Sequence, residues 1–90
     1  MTFRDKETRR LFERFRVKKF EQIEKAARIK LAFLGSAKDL TDLRRIPGLR
    51  LEKLSGDRAG QYSIRINDKY RVCFRWESDE AQDVEITDYH

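Results

Sequence analysis

The chain has 90 residues, of which 39% are hydrophobic and 41% are charged, and its formal net charge is +5. This length suits one small domain, which we expect to span residues 1–90. No apolar run reaches membrane-spanning length, and the charged first residues are unlike a signal peptide. Cys73 is the only cysteine, which excludes an internal disulfide. These features together predict a cytoplasmic protein that does not contact a membrane.

The basic residues are concentrated near the start of the chain. Residues 1–20 contain eight lysines and arginines against three acids, whereas residues 51–90 contain six basic and nine acidic groups. Such an asymmetry indicates a polyanionic partner, with nucleic acid as the first candidate. A solubilising helix surface explains the same charges equally well.

Apolar periodicity predicts two helices in the first half of the chain. The first has an apolar stripe from Thr8 to Phe15 at helical spacing, and the second has a longer stripe that ends before Gly35, a natural helix stop. Asp39 is suited to cap a short helical turn over residues 40–43, ahead of the break at Pro47. The second stripe consists of Phe20, Ile23, Ala27, Leu31 and Leu34.

After Pro47 the apolar period changes to two, which predicts strands. A short first strand is expected around residues 49–54. Three longer strands follow, joined by turns at Asn67-Asp68 and at residues 78–81. The sequence therefore predicts an α+β fold, with two N-terminal helices packed on one face of a mainly antiparallel four-stranded sheet.

The alternation also predicts a polar sheet face that stays open to solvent. The residues expected to face the helices are Ile64, Ile66, Val72, Phe74, Trp76, Val84 and Ile86. The opposite face then holds three arginines, Arg65, Arg71 and Arg75, and is the best candidate for a site. Exposed strand arginines also commonly pair with acids such as Glu85 and have no catalytic role.

Three segments resemble the HigB branch of the RelE/ParE toxin superfamily, the plasmid-maintenance killer proteins of type II toxin–antitoxin systems. They are residues 50–57 (RLEKLSGD), 60–74 (GQYSIRINDKYRVCF) and 84–90 (VEITDYH). The resemblance implies a RelE-like, microbial-ribonuclease-like fold and cleavage of translated mRNA in the decoding site of the 70S ribosome. It also implies a HigA-like helix-turn-helix antitoxin, with operator DNA bound only through the toxin–antitoxin complex.

Matching by position carries the family's catalytic role to Arg71, Asp88, Tyr89 and His90, and with them Arg65. Some family members have a histidine and a lysine three residues apart before the Gly-Asp loop. This chain has Glu52 and Ser55 at those positions, with Lys53 between them. Glu52 is therefore a further candidate, and the resemblance does not assign the general base.

These residue types suit metal-independent RNA cleavage, in which the 2′-hydroxyl attacks the neighbouring phosphorus. Arg71 is suited to hold phosphate oxygens in two-point contact. His90 is the only residue of the type that titrates near neutrality, although a C-terminal histidine standing alone is commonly a loose tail. Tyr89 either stacks on a base, donates a hydrogen bond to phosphate or transfers a proton, and Asp88 either orients a neighbour or accepts a proton.

No metal or cofactor is expected, because one histidine and one cysteine make no zinc set and no phosphate-binding glycine loop is present. The leading hypothesis is a ribosome-dependent mRNA endonuclease. The alternatives are a ParE-like toxin that poisons DNA gyrase, and a nucleic-acid-binding module without activity. The residues expected to bind RNA and the ribosome are Arg4, Lys6, Arg9, Arg10, Lys18, Lys19 and Lys53.

Overall fold

A computed structural model describes residues 1–88 and confirms the α+β class. Helices pack on one face of a four-stranded sheet whose strand order is β1-β2-β3-β4, with every neighbouring pair antiparallel. The helices are α1 (Lys6–Phe12), α2 (Glu24–Ser36) and α3 (Leu40–Arg44), with 3₁₀ segments at Lys18–Ile23 and Gly56–Arg58. The strands are β1 (Glu52–Lys53), β2 (Tyr62–Arg65), β3 (Tyr70–Glu77) and β4 (Glu80–Asp88).

Helix α1 is shorter than its apolar stripe predicts. The Asp5 side chain caps it by accepting from the Thr8 amide at 2.9 Å. Two residues past its end, Arg14 has a φ of 77°, a left-handed conformation that stops the helix. Phe15 therefore lies outside the helix and is 50% exposed, so its predicted place on the buried stripe is wrong.

The predicted second helix is divided into a 3₁₀ segment, which is itself kinked at Phe20 (φ −112°, ψ 18°), and α2, which begins after Ile23 (φ −113°, ψ 7°). Helix α2 also continues through Gly35, which the sequence suggested as its stop, and ends at Ser36. A Cβ at Gly35 would lie 3.3 Å from Met1 Cε and 3.6 Å from Phe12 Cζ. The glycine therefore allows close packing rather than ending the helix.

The core lies between α2 and one face of the sheet, where Leu31, Phe74 and Val84 are all fully buried. A polar contact joins α1 to the same layer. Thr8 is fully buried, and its hydroxyl accepts a hydrogen bond from the Ile86 amide in β4 at 3.1 Å. This contact satisfies a buried backbone donor of β4, which is an edge strand of the sheet formed by the described residues.

The strand predictions are confirmed except at their ends. The Asn67 side chain accepts from the amides of Lys69 and Tyr70, at 2.9 and 2.8 Å, and forms the predicted turn. Strand β1 contains only Glu52–Lys53, so the longer strand expected over residues 49–54 is wrong. Within the described part of the chain, no helix is long and apolar enough to cross a membrane.

Candidate active site on the sheet

Arg71 lies on the face of the sheet opposite the helices, as predicted, but that face is not open around it. The residue is only 5% exposed. Its Nε donates to Ser63 Oγ at 2.8 Å and its Nη2 donates to the Arg50 carbonyl at 3.0 Å. Ser63 and Cys73 beside it are also buried, so the prediction of a solvent-open face is wrong at its centre.

The segment that precedes β1 contributes to the burial of Arg71 through the Arg50 carbonyl. Arg50 has a φ of 52°, a left-handed conformation that is uncommon for a residue with a side chain. The Arg65 amide donates to the Leu49 carbonyl at 2.8 Å, which ties the segment to the end of β2. The segment therefore lies alongside the end of β2 and presents the Arg50 carbonyl to the Arg71 guanidinium. A backbone contact of this kind has no sequence signature.

A cleft of about 210 Å³ lies on this face of the sheet, flanked by Leu54 and Arg58 from the segment that follows β1. Arg71 and Asp88 both line it, although they belong to different strands, because β3 and β4 pair with Tyr70 opposite Asp88. The cleft thus combines a buried cation with the last described residue of β4. Its lining residues are Leu54, Arg58, Ser63, Arg71, Cys73, Thr87 and Asp88.

Glu52 lies near the same cation, with its Oε1 3.6 Å from Arg71 Nη2 and its side chain half exposed. Arg65 is opposite Arg71 in the register of β2 and β3, but its guanidinium pairs with Asp68 and does not line the cleft. The structure therefore brings Arg71, Glu52 and Asp88 to one place and sets the Arg65 side chain apart. The predictions for Tyr89 and His90 lie outside the described residues.

Arg58 is a second guanidinium in the cleft, and sequence reasoning missed it. Its Nη2 lies 2.8 Å from Glu85 Oε1, and its Nη1 donates to Gln61 Oε1 at 2.9 Å. The hydrogen bond to Glu85 raises the pKa of Arg58, with smaller support from the nearby Cys73 and opposition from burial. Arg58 lies in the loop of residues 55–60, and nothing in the sequence indicates that this loop packs against β4.

The predicted RNA-binding cations divide between separate surfaces. Arg4, Lys6 and Arg9 line a groove of about 610 Å³ beside α1. Lys18 and Lys19 line another of about 480 Å³, beside the β2–β3 turn. Arg10 lies 4.7 Å from the Phe15 ring centroid in a cation–π contact, and Lys53 is exposed on β1. Among residues 1–88, no group of three or more His, Cys, Asp or Glu is arranged to hold a metal ion.

The helix layer packed on an antiparallel four-stranded sheet defines the class of small α+β proteins with a RelE-like fold. A chain of the YoeB–YefM complex from Staphylococcus aureus matches with a TM-score of 0.64 at 21% identity, covering 100% of this chain and 95% of that chain. The YoeB dimer from Staphylococcus aureus matches with a TM-score of 0.56 at 22% identity, covering 99% and 94% of the two chains. At these identities the likeness shows the fold alone.

Comparison of the sequence with family models shows the family to which the chain belongs. The model of the family described as RelE-like toxin of type II toxin-antitoxin system HigB matches residues 1–90, so the chain belongs to this family. Toxin HigB-1 of Vibrio cholerae serotype O1 is 46% identical over 54 residues, which are 60% of this chain. The matched part spans 57% of that toxin's length, less than two thirds. The predicted resemblance is thereby confirmed.

Proposed function

We propose that this toxin is a ribosome-dependent mRNA endonuclease that cleaves translated mRNA and so inhibits translation and growth. The observation that carries the proposal is the cleft that Arg71 and Asp88 both line, in a chain that belongs to the HigB family. It acts in the cytoplasm and is neutralised by a HigA-like helix-turn-helix antitoxin, through which it reaches operator DNA.

The chemistry requires no metal. The 2′-hydroxyl attacks the adjacent phosphorus, and negative charge develops on the phosphorane oxygens. Arg71 stabilises that charge. Because its Nε and Nη2 are already bonded to Ser63 and to the Arg50 carbonyl, its guanidinium plane is fixed before RNA binds. A donor that is preorganised in this way costs no rearrangement during the reaction.

Proton transfer falls to the groups around this cation. Glu52, 3.6 Å from Arg71, and Asp88 in the same cleft are the carboxylates in place. Tyr89 and His90 complete the set, with His90 as the group best suited to exchange a proton at neutral pH. Arg65 supports the RNA backbone beside the cleft. The basic residues on the helical side, together with Lys53, contact ribosomal RNA.

The test compares Arg71→Ala with Arg75→Ala, a matched change on the same strand. Arg75 pairs with Asp83 at 2.8 Å and with Glu77, and it does not line the cleft. Transcript 5′ ends are mapped after induction, with translation running and with translation blocked. We expect Arg71→Ala to lower cleavage about 10²–10³-fold. Arg75→Ala should cleave like the wild type, with all cuts inside translated codons.

Three results would contradict the proposal in different ways. Undiminished cleavage by Arg71→Ala, in protein whose Trp76 fluorescence shows a folded state, would refute the site. Cuts that persist when translation is blocked would refute ribosome dependence. Double-strand DNA breaks with intact mRNA would instead indicate the gyrase-poisoning activity of a ParE-like toxin.

A further inference from the structure

We propose that Arg58 forms a second phosphate-binding position in the cleft, which holds an RNA phosphate next to the one held by Arg71. The inference deepens the proposed function and rests on it, because RNA is taken as the ligand. Both guanidiniums line the same cleft of about 210 Å³. A strand of RNA that brings one phosphate to Arg71 therefore passes within reach of Arg58.

Exposure distinguishes the two arginines. The Arg71 side chain is 6% exposed, whereas that of Arg58 is 38% exposed. The buried guanidinium is fixed by the fold, and the accessible one is the group that an incoming phosphate meets first. Guanidinium groups bind phosphate through paired N–H donors in a planar fork, which makes them well suited to this contact.

The present partners of Arg58 allow this exchange. Its Nη2 contacts Glu85, but Glu85 Oε2 also lies 3.4 Å from Arg4 Nε. When Arg58 turns to a phosphate, Arg4 still compensates the Glu85 carboxylate, so no buried charge is left alone. Its second partner, Gln61 Oε1, is a neutral acceptor that a charged phosphate oxygen readily replaces.

Arg58 carries its positive charge at any pH at which RNA is stable. Its hydrogen bond to Glu85 raises a pKa that already lies far above neutrality. Salt dependence of binding therefore reports its contact with phosphate without interference from its own titration.

The competing explanation is structural, namely that the Arg58–Glu85 pair only fastens the loop before β2 to β4. The two explanations differ for Glu85→Gln. Under the structural explanation, Arg58→Gln and Glu85→Gln break the same ion pair and weaken RNA binding equally. Under the phosphate explanation, Glu85→Gln leaves the Arg58 cation in the cleft and weakens RNA binding less than Arg58→Gln does.

The experiment measures binding of a fluorescent 2′-O-methyl RNA, which cannot be cleaved, by anisotropy across a range of salt concentrations. The variants are Arg58→Gln, Arg58→Lys and Glu85→Gln. Arg75→Gln is the matched control, since Arg75 is 39% exposed, has two acidic partners and lies outside the cleft lining. Cleavage on ribosomes is measured for the same proteins.

We expect Arg58→Gln to weaken binding about ten- to hundredfold, as for loss of a charge-assisted hydrogen bond. The slope of log affinity against log salt should fall by about 0.7, the value for one contact to single-stranded nucleic acid. Arg58→Lys should keep the slope and recover part of the affinity. Glu85→Gln should stay within about threefold of the wild type.

The inference would be overturned if Arg58→Gln bound the RNA with the affinity and the salt slope of the wild type. It would also be overturned if the wild-type protein did not bind the RNA. Equal losses in Arg58→Gln and Glu85→Gln, with an unchanged slope, would also overturn it in favour of the structural pair. An Arg58-dependent slope in a protein that cleaves no translated mRNA would uphold the phosphate position and refute the proposed function alone.

Discussion

The hydrogen bond between Ser63 and Arg71 holds the central cation of the cleft, and replacing Ser63 with alanine tests how firmly. Ser63 is fully buried, and its hydroxyl accepts from Arg71 Nε at 2.8 Å. Hydrogen bonds to charged groups contribute about 1.5–3 kcal/mol to stability. We therefore expect Ser63→Ala to lower the free energy of unfolding by about 2 kcal/mol, a large fraction of the roughly 5–15 kcal/mol typical of such domains.

The assay is urea unfolding followed by the fluorescence of Trp76, the only tryptophan, which packs against the core. Ser36→Ala is the matched control, because this exposed hydroxyl donates to carbonyls of its own helix, at 3.0 and 3.3 Å. The control should change the free energy of unfolding by less than about 0.5 kcal/mol.

A double-mutant cycle with Arg71→Met isolates the pair. Once the arginine is absent, loss of the Ser63 hydroxyl no longer leaves a buried charged donor short of its acceptor. We expect a coupling energy of at least about 1 kcal/mol. A Ser63→Ala variant within 0.5 kcal/mol of the wild type, or additive effects in the cycle, would refute this account of how Arg71 is held.

Three further changes test the fold that supports the cleft. Thr8→Val removes the acceptor of the Ile86 amide, so the free energy of unfolding in urea should fall by about 1–3 kcal/mol. The Ile86 amide should also exchange faster with solvent, and an unchanged exchange rate would contradict the contact. Asp39→Ala removes the side chain that caps α3 on the Asp42 amide at 3.0 Å, and we expect a loss of about 1 kcal/mol, whereas Asp39→Asn should retain most of the stability. Leu31→Ala opens a cavity at a fully buried position and should lower the free energy of unfolding by about 2–5 kcal/mol in the same assay, and a loss below 1 kcal/mol would show that the core there is loosely packed.

Local chemistry explains which parts of the fold were predictable. Alternating apolar residues predicted β2, β3 and β4, because a strand with one buried face has a period of two. Asp39 and Asn67 act as predicted, since each satisfies backbone amides only two or three residues away. The prediction that the apolar stripe continues to Phe15 was wrong because the left-handed Arg14 ends the helical course first.

The candidate site, like the fold, was predictable from the sequence only in part. Strand alternation was sufficient to place Arg71 opposite the helices. It did not reveal the burial of this residue, which depends on the Arg50 carbonyl 21 positions earlier in the chain. Nor did it reveal Arg58, whose partner Glu85 lies on another strand.

The sequence alone determined the order of helices and strands, the side of the sheet on which Arg71 and the apolar strand residues lie, and the family. These properties depend on neighbours a few positions apart, or on motifs that are readable in one dimension. Only the tertiary structure decided how deeply Arg71 is buried and that Arg58 enters the cleft. The physical reason is that burial and charge pairing are set by segments distant in sequence, whose approach the local pattern of residues does not encode.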